Sequence, residues 1–189
     1  MEKKYHSIQQ LAAPYLNTRQ NDIHVAVVLR YARLLLGLEG GQEAIVIPAV
    51  LLHDVGWSRV PEDLLLKAFG PRPGYDRNLN RIHEVEGAKI AREILDQVEY
   101  DADYIDQITE IIEGHDSRWQ VLSINDAVVK DADKLFRYSK EGFYIDCERF
   151  ALNPAEHRIY LYDIVEEWFF TDTGKKMARE ELAGLRIRG

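Results

Sequence analysis

Four of the six histidines, His24, His53, His83 and His115, and the aspartates Asp54, Asp116, Asp131 and Asp133 are the residues of this chain best suited to chemistry. The clearest signal is an apolar run, Ile45-Val46-Ile47-Pro48-Ala49-Val50-Leu51-Leu52, that ends abruptly in His53-Asp54. A run apolar on every side belongs to an element buried on all faces. An imidazole and a carboxylate at its end are costly there unless something compensates them. A metal ion is one such compensation. Imidazole and carboxylate ligands with open coordination positions suit Mn, Fe, Co, Ni or Zn better than calcium.

The elements that must position these side chains read as helices. In 22–36 the residues Val25, Val28, Leu29, Ala32, Leu35 and Leu36 recur at helical spacing, with Gly37 as the stop. The next helix is expected over about 46–54, with Pro48 in its first turn and Gly56 ending it. Residues 57–80 carry Pro61, Gly70, Pro71, Pro73 and Gly74 and read as a long loop with a helical turn or two at 62–69. Helical pattern returns over 81–98, 102–114, 123–140, 154–170 and 173–184. Each candidate ligand then sits on or beside a different helix: His24 on the first, His53-Asp54 closing the second, His83 early in the third, His115 after the fourth, and Asp131 and Asp133 on the fifth. Single ligands from separate helices are how a helical bundle builds a metal site in its core. The fold class expected is all-α, a helical bundle in one domain spanning 1–189.

Bulk properties narrow the partners. A chain of 189 residues is long enough to bury a substantial core. A formal net charge of -8 argues against a binder of nucleic-acid polymers, while leaving room for a local basic pocket. The single cysteine, Cys147, cannot form an internal disulfide. No apolar run reaches the roughly 20 residues needed to span a bilayer. The opening residues lack the apolar core of a signal peptide, so a cytoplasmic location without membrane attachment is expected. Gly174-Lys175 lacks the glycine spacing of a phosphate-binding P-loop.

The order of the motifs resembles the HD-domain metal-dependent phosphohydrolase superfamily. Ala49-Val50-Leu51-Leu52-His53-Asp54-Val55-Gly56 is similar to its signature almost residue for residue. His83-Glu84-Val85-Glu86-Gly87-Ala88 is similar to its third motif and Ile111-Ile112-Glu113-Gly114-His115 to its fourth. Val128-Val129-Lys130-Asp131-Ala132-Asp133-Lys134-Leu135 carries its closing aspartate. The likeness covers about 20–140, leaving C-terminal helices over 141–189. A weaker match, Thr171 to Ala178, looks like the tail of small bacterial HD hydrolases. Asp131 lies on the apolar stripe of Ile124, Val128 and Leu135; the motif alignment selects Asp133 instead.

What the resemblance implies is hydrolysis of a phosphate ester of a nucleotide or other small phosphorylated metabolite by a metal-activated water. His24, His53, Asp54 and Asp133 would hold a divalent transition metal (Mn, Fe, Co or Ni, with Mg or Zn as alternatives). His83 and His115 would complete a second metal site, or stay metal-free and act on the phosphate or the leaving oxygen. Asp54, His83, His115 and Lys134 are thus the candidate catalytic residues. His115-Asp116 would contribute only its histidine. Lys134 and the arginines in or beside the long loop, Arg59, Arg72, Arg77 and Arg81, are the candidate phosphate-binding cations. Trp57 and Tyr75 could stack on a base or simply pack. Glu86 and Glu113 could orient the neighbouring histidines or be exposed helix charges. His6 and His157 match no motif and are expected at the surface. Tyr160, Tyr162, Trp168, Phe169 and Phe170 could form core or a homodimer face. Two other readings fit the same motifs: a nucleotide-sensing domain without turnover, and a di-iron oxygenase of the same fold.

Overall fold

Helix α3, Glu43–Leu52, is the centre of the molecule, and its residues Ile45 to Leu52 are all buried. The computed structural model describes residues 3–17, 21–71 and 73–186. Around α3 pack α1 (Lys3–Ala12), α2 (Asn21–Glu39), α6 (Ala102–Ile112) and α7 (Ile124–Tyr138). The turn after α3 (Val55–Arg59) and the short α4 (Leu65–Ala68) lie on α5 (Arg77–Gln97). The remaining helices are α8 (Lys140–Arg149), α9 (Pro154–Asp163), α10 (Val165–Trp168) and α11 (Asp172–Gly184). One contiguous apolar core runs from Tyr5 on α1 to Leu182 on α11. No strand occurs among the described residues, and none of their helices is long and apolar enough to cross a membrane.

Several boundaries differ from the sequence reading, each for a physical reason. Helix α2 continues through Gly37 to Glu39 and stops where Gly40 takes a φ of 81°, a conformation glycine adopts without strain. Helix α3 starts at Glu43, so Pro48 lies in its second turn rather than its first. Pro48 has no N–H for the Ala44 carbonyl, and the Tyr100 hydroxyl donates to that oxygen instead, at 2.7 Å. Helix α5 starts at Arg77 because the Asp76 carboxylate caps it, accepting from the Asn78 and Leu79 N–H groups. The irregular stretch is therefore shorter than 57–80. Helices α1 and α8 were not expected. Ser139 ends α7 and caps α8, donating to Phe136 O and accepting from Gly142 N. The expected helix 154–170 breaks at Ile164 into α9 and α10. His157, expected at the surface, is fully buried and stacks on Phe143, whereas His6 is exposed.

Gly56 fixes how close the Val55–Arg59 turn comes to α5. A Cβ there would sit 1.9 Å from the His83 carbonyl oxygen and 2.5 Å from the Gly87 nitrogen. Backbone atoms cannot yield as a flexible side-chain tip can. Gly56→Ala is expected to cost at least the 1–3 kcal/mol or so typical of overpacking. At roughly 2–4 °C per kcal/mol for a chain of this size, a thermal melt should fall by several degrees. An unchanged melting temperature would show that the turn and α5 can separate freely.

Candidate metal centre

Each imidazole is aimed by the helix that carries it. His53 Nδ1 lies 2.8 Å from the Val50 carbonyl and His115 Nδ1 lies 2.8 Å from that of Ile112. His83 Nδ1 is bonded to the Asn80 carbonyl in the same way. A carbonyl only accepts, so Nδ1 must donate, and each neutral ring turns an Nε2 lone pair away from its own helix. That is the tautomer a metal ligand needs.

The Nε2 atoms of His24 and His53 stand 3.0 Å apart. His24 Nε2 is 3.3 Å from Asp54 Oδ2 and 3.1 Å from Asp133 Oδ1, while His53 Nε2 is 3.7 Å from Asp54 Oδ1 and 3.5 Å from Asp133 Oδ1. Ligands bonded at about 2.1 Å to one ion and spread at right to tetrahedral angles lie roughly 3.0–3.4 Å from one another. His24, His53 and Asp133 thus bring donor atoms close enough to share one divalent ion, and Asp54 adjoins them through Oδ2 toward His24 and Oδ1 toward His53. A second group adjoins it: His83 Nε2 is 3.3 Å from His115 Nε2 and 3.7 Å from Asp116 Oδ2. His53, Asp54 and His115 also bring donor atoms within 4.8 Å of one another, so the two groups are contiguous. Asp116 stands beside the second group, held there by the Asn80 amide at 3.1 Å, although the sequence reading gave it no part.

Trp57 joins the two groups. Its indole N–H donates to Asp54 Oδ1 at 2.7 Å, and its ring stacks on His83 with centroids 3.8 Å apart. One face of the ring is taken by His83, so although Trp57 lines the cavity it braces the donors more than it offers a platform for a base. The carboxylate that braces the second group is Glu84, not Glu86 or Glu113. Glu84 is fully buried and accepts from the Asp116 and Ser117 N–H groups, both at 2.9 Å, and from Arg81. Glu86 pairs with Lys89, and Glu113 with Arg81. The His83-Glu84 dipeptide was the available signal for Glu84.

A cavity of about 240 Å³ opens over the first group, lined by His24, Asp54, His115, Asp116 and Asp133 among others. Of the expected cations, Arg77 and Lys134 line it. Arg59 is exposed and lies outside it, and Arg81 is spent on Glu84 and Glu113. Arg72 lies outside the described residues. Three cations that the sequence reading missed also line the cavity: Arg118, Arg137 and Arg149. Arg137 follows Asp133 by one helical turn on α7, a spacing that could have revealed it, and it is ion-paired with Asp146. Tyr75, Tyr160, Trp168 and Phe170 contribute aromatic wall, while Phe169 is in the core and Tyr162 is exposed.

The structure separates Asp131 from Asp133. Asp131 turns to the C-terminal segment, accepting from Phe170 N at 2.9 Å, Thr171 N at 2.8 Å and Thr171 Oγ1 at 2.8 Å. Lys134 donates to the Trp168 carbonyl at 2.6 Å and lies over the Phe170 ring. Both residues thereby hold Trp168 and Phe170 at the cavity. Burial lowers the Lys134 pKa to about 8, against the pull of Asp131 and Asp133.

Electrostatics at the first group favour a cation. Burial works against a charge on His53, yet Asp54 and Asp133 outweigh it and raise its pKa to about 9. Burial likewise opposes ionisation of Asp133, but hydrogen bonds from His24 and His53 hold its carboxyl well below the usual range. His83 goes the other way, lowered to about 4 by burial and then by His115. At neutral pH a proton on His53 therefore occupies the place a metal would take. Binding must expel it, so divalent-metal affinity should rise about tenfold per pH unit up to about pH 9. Without metal, the same group stabilises the fold fully below its unfolded pKa of about 6.5, and that contribution is lost as pH rises through about 9. Calorimetric titration with manganese in buffers of different ionisation enthalpy should report about one proton released at pH 7. An affinity flat between pH 6 and 8 would contradict this.

An all-helical bundle with histidines and aspartates gathered from several separate helices defines the class of domain. The chain belongs to the HD domain family, which matches residues 21–138. Domains of this family bind divalent metals and are typically metal-dependent hydrolases. The fold is also similar to the crystal structure of a predicted HD superfamily hydrolase from an uncultured Thermotogales bacterium. The TM-score is 0.60 at 20% identity, covering 94% of this chain and 84% of that one. No curated protein matches. The cavity residues Asp146, Arg149, Tyr160, Trp168 and Phe170 all lie beyond the family match.

Proposed function

We propose that this chain is a metal-dependent phosphohydrolase acting on a small phosphorylated metabolite, with nucleotides as the first class to test. One observation carries the reading: the His24, His53, Asp54 and Asp133 donors gather beside a cavity that Arg77, Arg118, Lys134, Arg137 and Arg149 line. A divalent metal in such a site lowers the pKa of water and offsets charge building on phosphorus. The chain's own residues supply the rest. The carbonyl-bound rings of His53, His83 and His115 keep their Nε2 atoms aimed without reorganisation. His83, held neutral with its Nδ1–H on Asn80, can ligate or accept a proton but does not donate one from Nε2. Arg137, braced by Asp146, presents a planar fork suited to phosphate oxygens. The Lys134 ammonium has three N–H donors, and its bond to Trp168 uses one. Aromatic side chains on the same wall suit a flat base.

The rival readings share the metal donors and differ in outcome. A sensor would bind a nucleotide and leave it intact, and a di-iron oxygenase would consume oxygen. The test is release of inorganic phosphate from a panel of nucleotides and sugar phosphates, with manganese, cobalt or nickel added. Release from at least one substrate, and none without metal, is expected. No release from any substrate with any of the three metals would overturn the reading.

A further inference from the structure

Asn21 opens α2 about one turn before His24. Its side chain is only 1% exposed and lines the cavity beside His24, Asp54 and Asp133. Its Nδ2 has no acceptor among the described residues. Buried polar atoms are nearly always paired, and leaving such a donor unpaired costs about 1–3 kcal/mol. A leucine would fill a similar volume without that cost. A second buried donor in the same cavity is in the same condition: Arg118 Nε has no acceptor, although its Nη atoms reach Glu110 O and Asp126. Two unsatisfied N–H donors in one cavity complement a ligand rich in acceptor oxygens. Neither suits a metal cation or an apolar group.

We propose that Asn21 is a substrate-binding residue whose Nδ2 donates to an oxygen of the phosphoryl group positioned at the metal centre. The inference rests on the phosphohydrolase reading. Helical spacing supports the placement, because positions 21 and 24 lie on the same face of α2. The amide therefore stands on the side of the cavity where the metal donors converge. Because Nδ2 is itself buried, a rotation of the amide must bring it to an incoming oxygen.

The test uses the full-length protein loaded with manganese, and inorganic phosphate as the probe. Asn21→Leu and Asn21→Ala are compared with the unaltered chain for bound manganese, melting temperature and phosphate affinity by calorimetry. The expected result is unchanged manganese content, phosphate binding at least tenfold weaker in both variants, and a smaller rise in melting temperature on adding phosphate. Asn21→Leu should melt at or above the unaltered chain in the absence of phosphate. Asn21→Ala carries the comparison if leucine does not fit. Phosphate affinity within twofold of the unaltered chain, at equal manganese content, would overturn the inference and leave the hydrolase reading standing. Loss of manganese from both variants would also overturn it, since Asn21 would then serve the metal. A manganese-loaded unaltered chain that binds no phosphate would overturn this inference together with the reading beneath it.

Discussion

His53→Ala is expected to lose its metal and its phosphate release together. His53 is the donor that belongs both to the group with His24 and Asp133 and to the group with Asp54 and His115. Its removal leaves Asp54 and Asp133 buried or half-buried in one cavity with the main compensating cation gone. Changing a residue that merely braces a ligand typically costs 10–100-fold in metal affinity, so losing the ligand itself should cost more than about 100-fold. The fold suffers as well, because removing one partner of a buried charge pair costs about 3–5 kcal/mol. Circular dichroism must therefore confirm that the variant is folded before its metal content is compared. A folded variant that retains metal at the unaltered stoichiometry would show that this cluster is not the metal site.

Asp131→Ala is expected to be the most destabilising change outside the metal centre. Its carboxylate is the acceptor for Phe170 N, Thr171 N and Thr171 Oγ1, and the Gly174 backbone packs against it so closely that a Cβ would sit 2.5 Å from Oδ2. Alanine would strand three donors and open a void. Hydrogen bonds to a charged acceptor are worth about 1.5–3 kcal/mol each but are not additive within one network, so a loss of about 3–5 kcal/mol is expected. At roughly 2–4 °C per kcal/mol, the melt should fall by at least about 6 °C. The distinguishing readout is functional. Released from Asp131, the segment carrying Trp168 and Phe170 should leave the cavity wall, raising KM while metal content stays constant. If instead Asp131→Ala loses metal and keeps its melting temperature, Asp131 would have to be a ligand and Asp133 would not.

The metal-ligand candidates were legible in the sequence because a metal site demands particular side chains, and helix ends and helical spacing present them in a recognisable order. His24, His53-Asp54, His83 and His115 stand out by local pattern and chain order, whereas the choice of Asp133 over Asp131 comes from the resemblance to the family's closing motif. The cations did not follow from local pattern. Arg59 and Arg81 are candidates because they lie in or beside the long loop after His53-Asp54, yet one faces solvent and the other is neutralised by Glu84 and Glu113. Arg137 and Arg149 reach the cavity only through the packing of α7 and α8, and α8 itself has too few apolar positions to announce a helix. The role of Asp131 was hidden for the same reason: its partners lie about 40 residues away. His157 shows the limit of the rule that unassigned histidines are exposed, since an aromatic neighbour, Phe143, was enough to bury it.

The most direct test of the central claim is phosphate release measured against bound metal in one preparation. Metal-stripped protein is titrated with manganese, cobalt or nickel in the presence of a substrate from the panel. The rate should be zero without metal, rise with occupancy to a plateau at one or two ions per chain, and vanish on chelation. Phosphate release that persists in the fully stripped protein, or that does not respond as the site fills, would contradict the account.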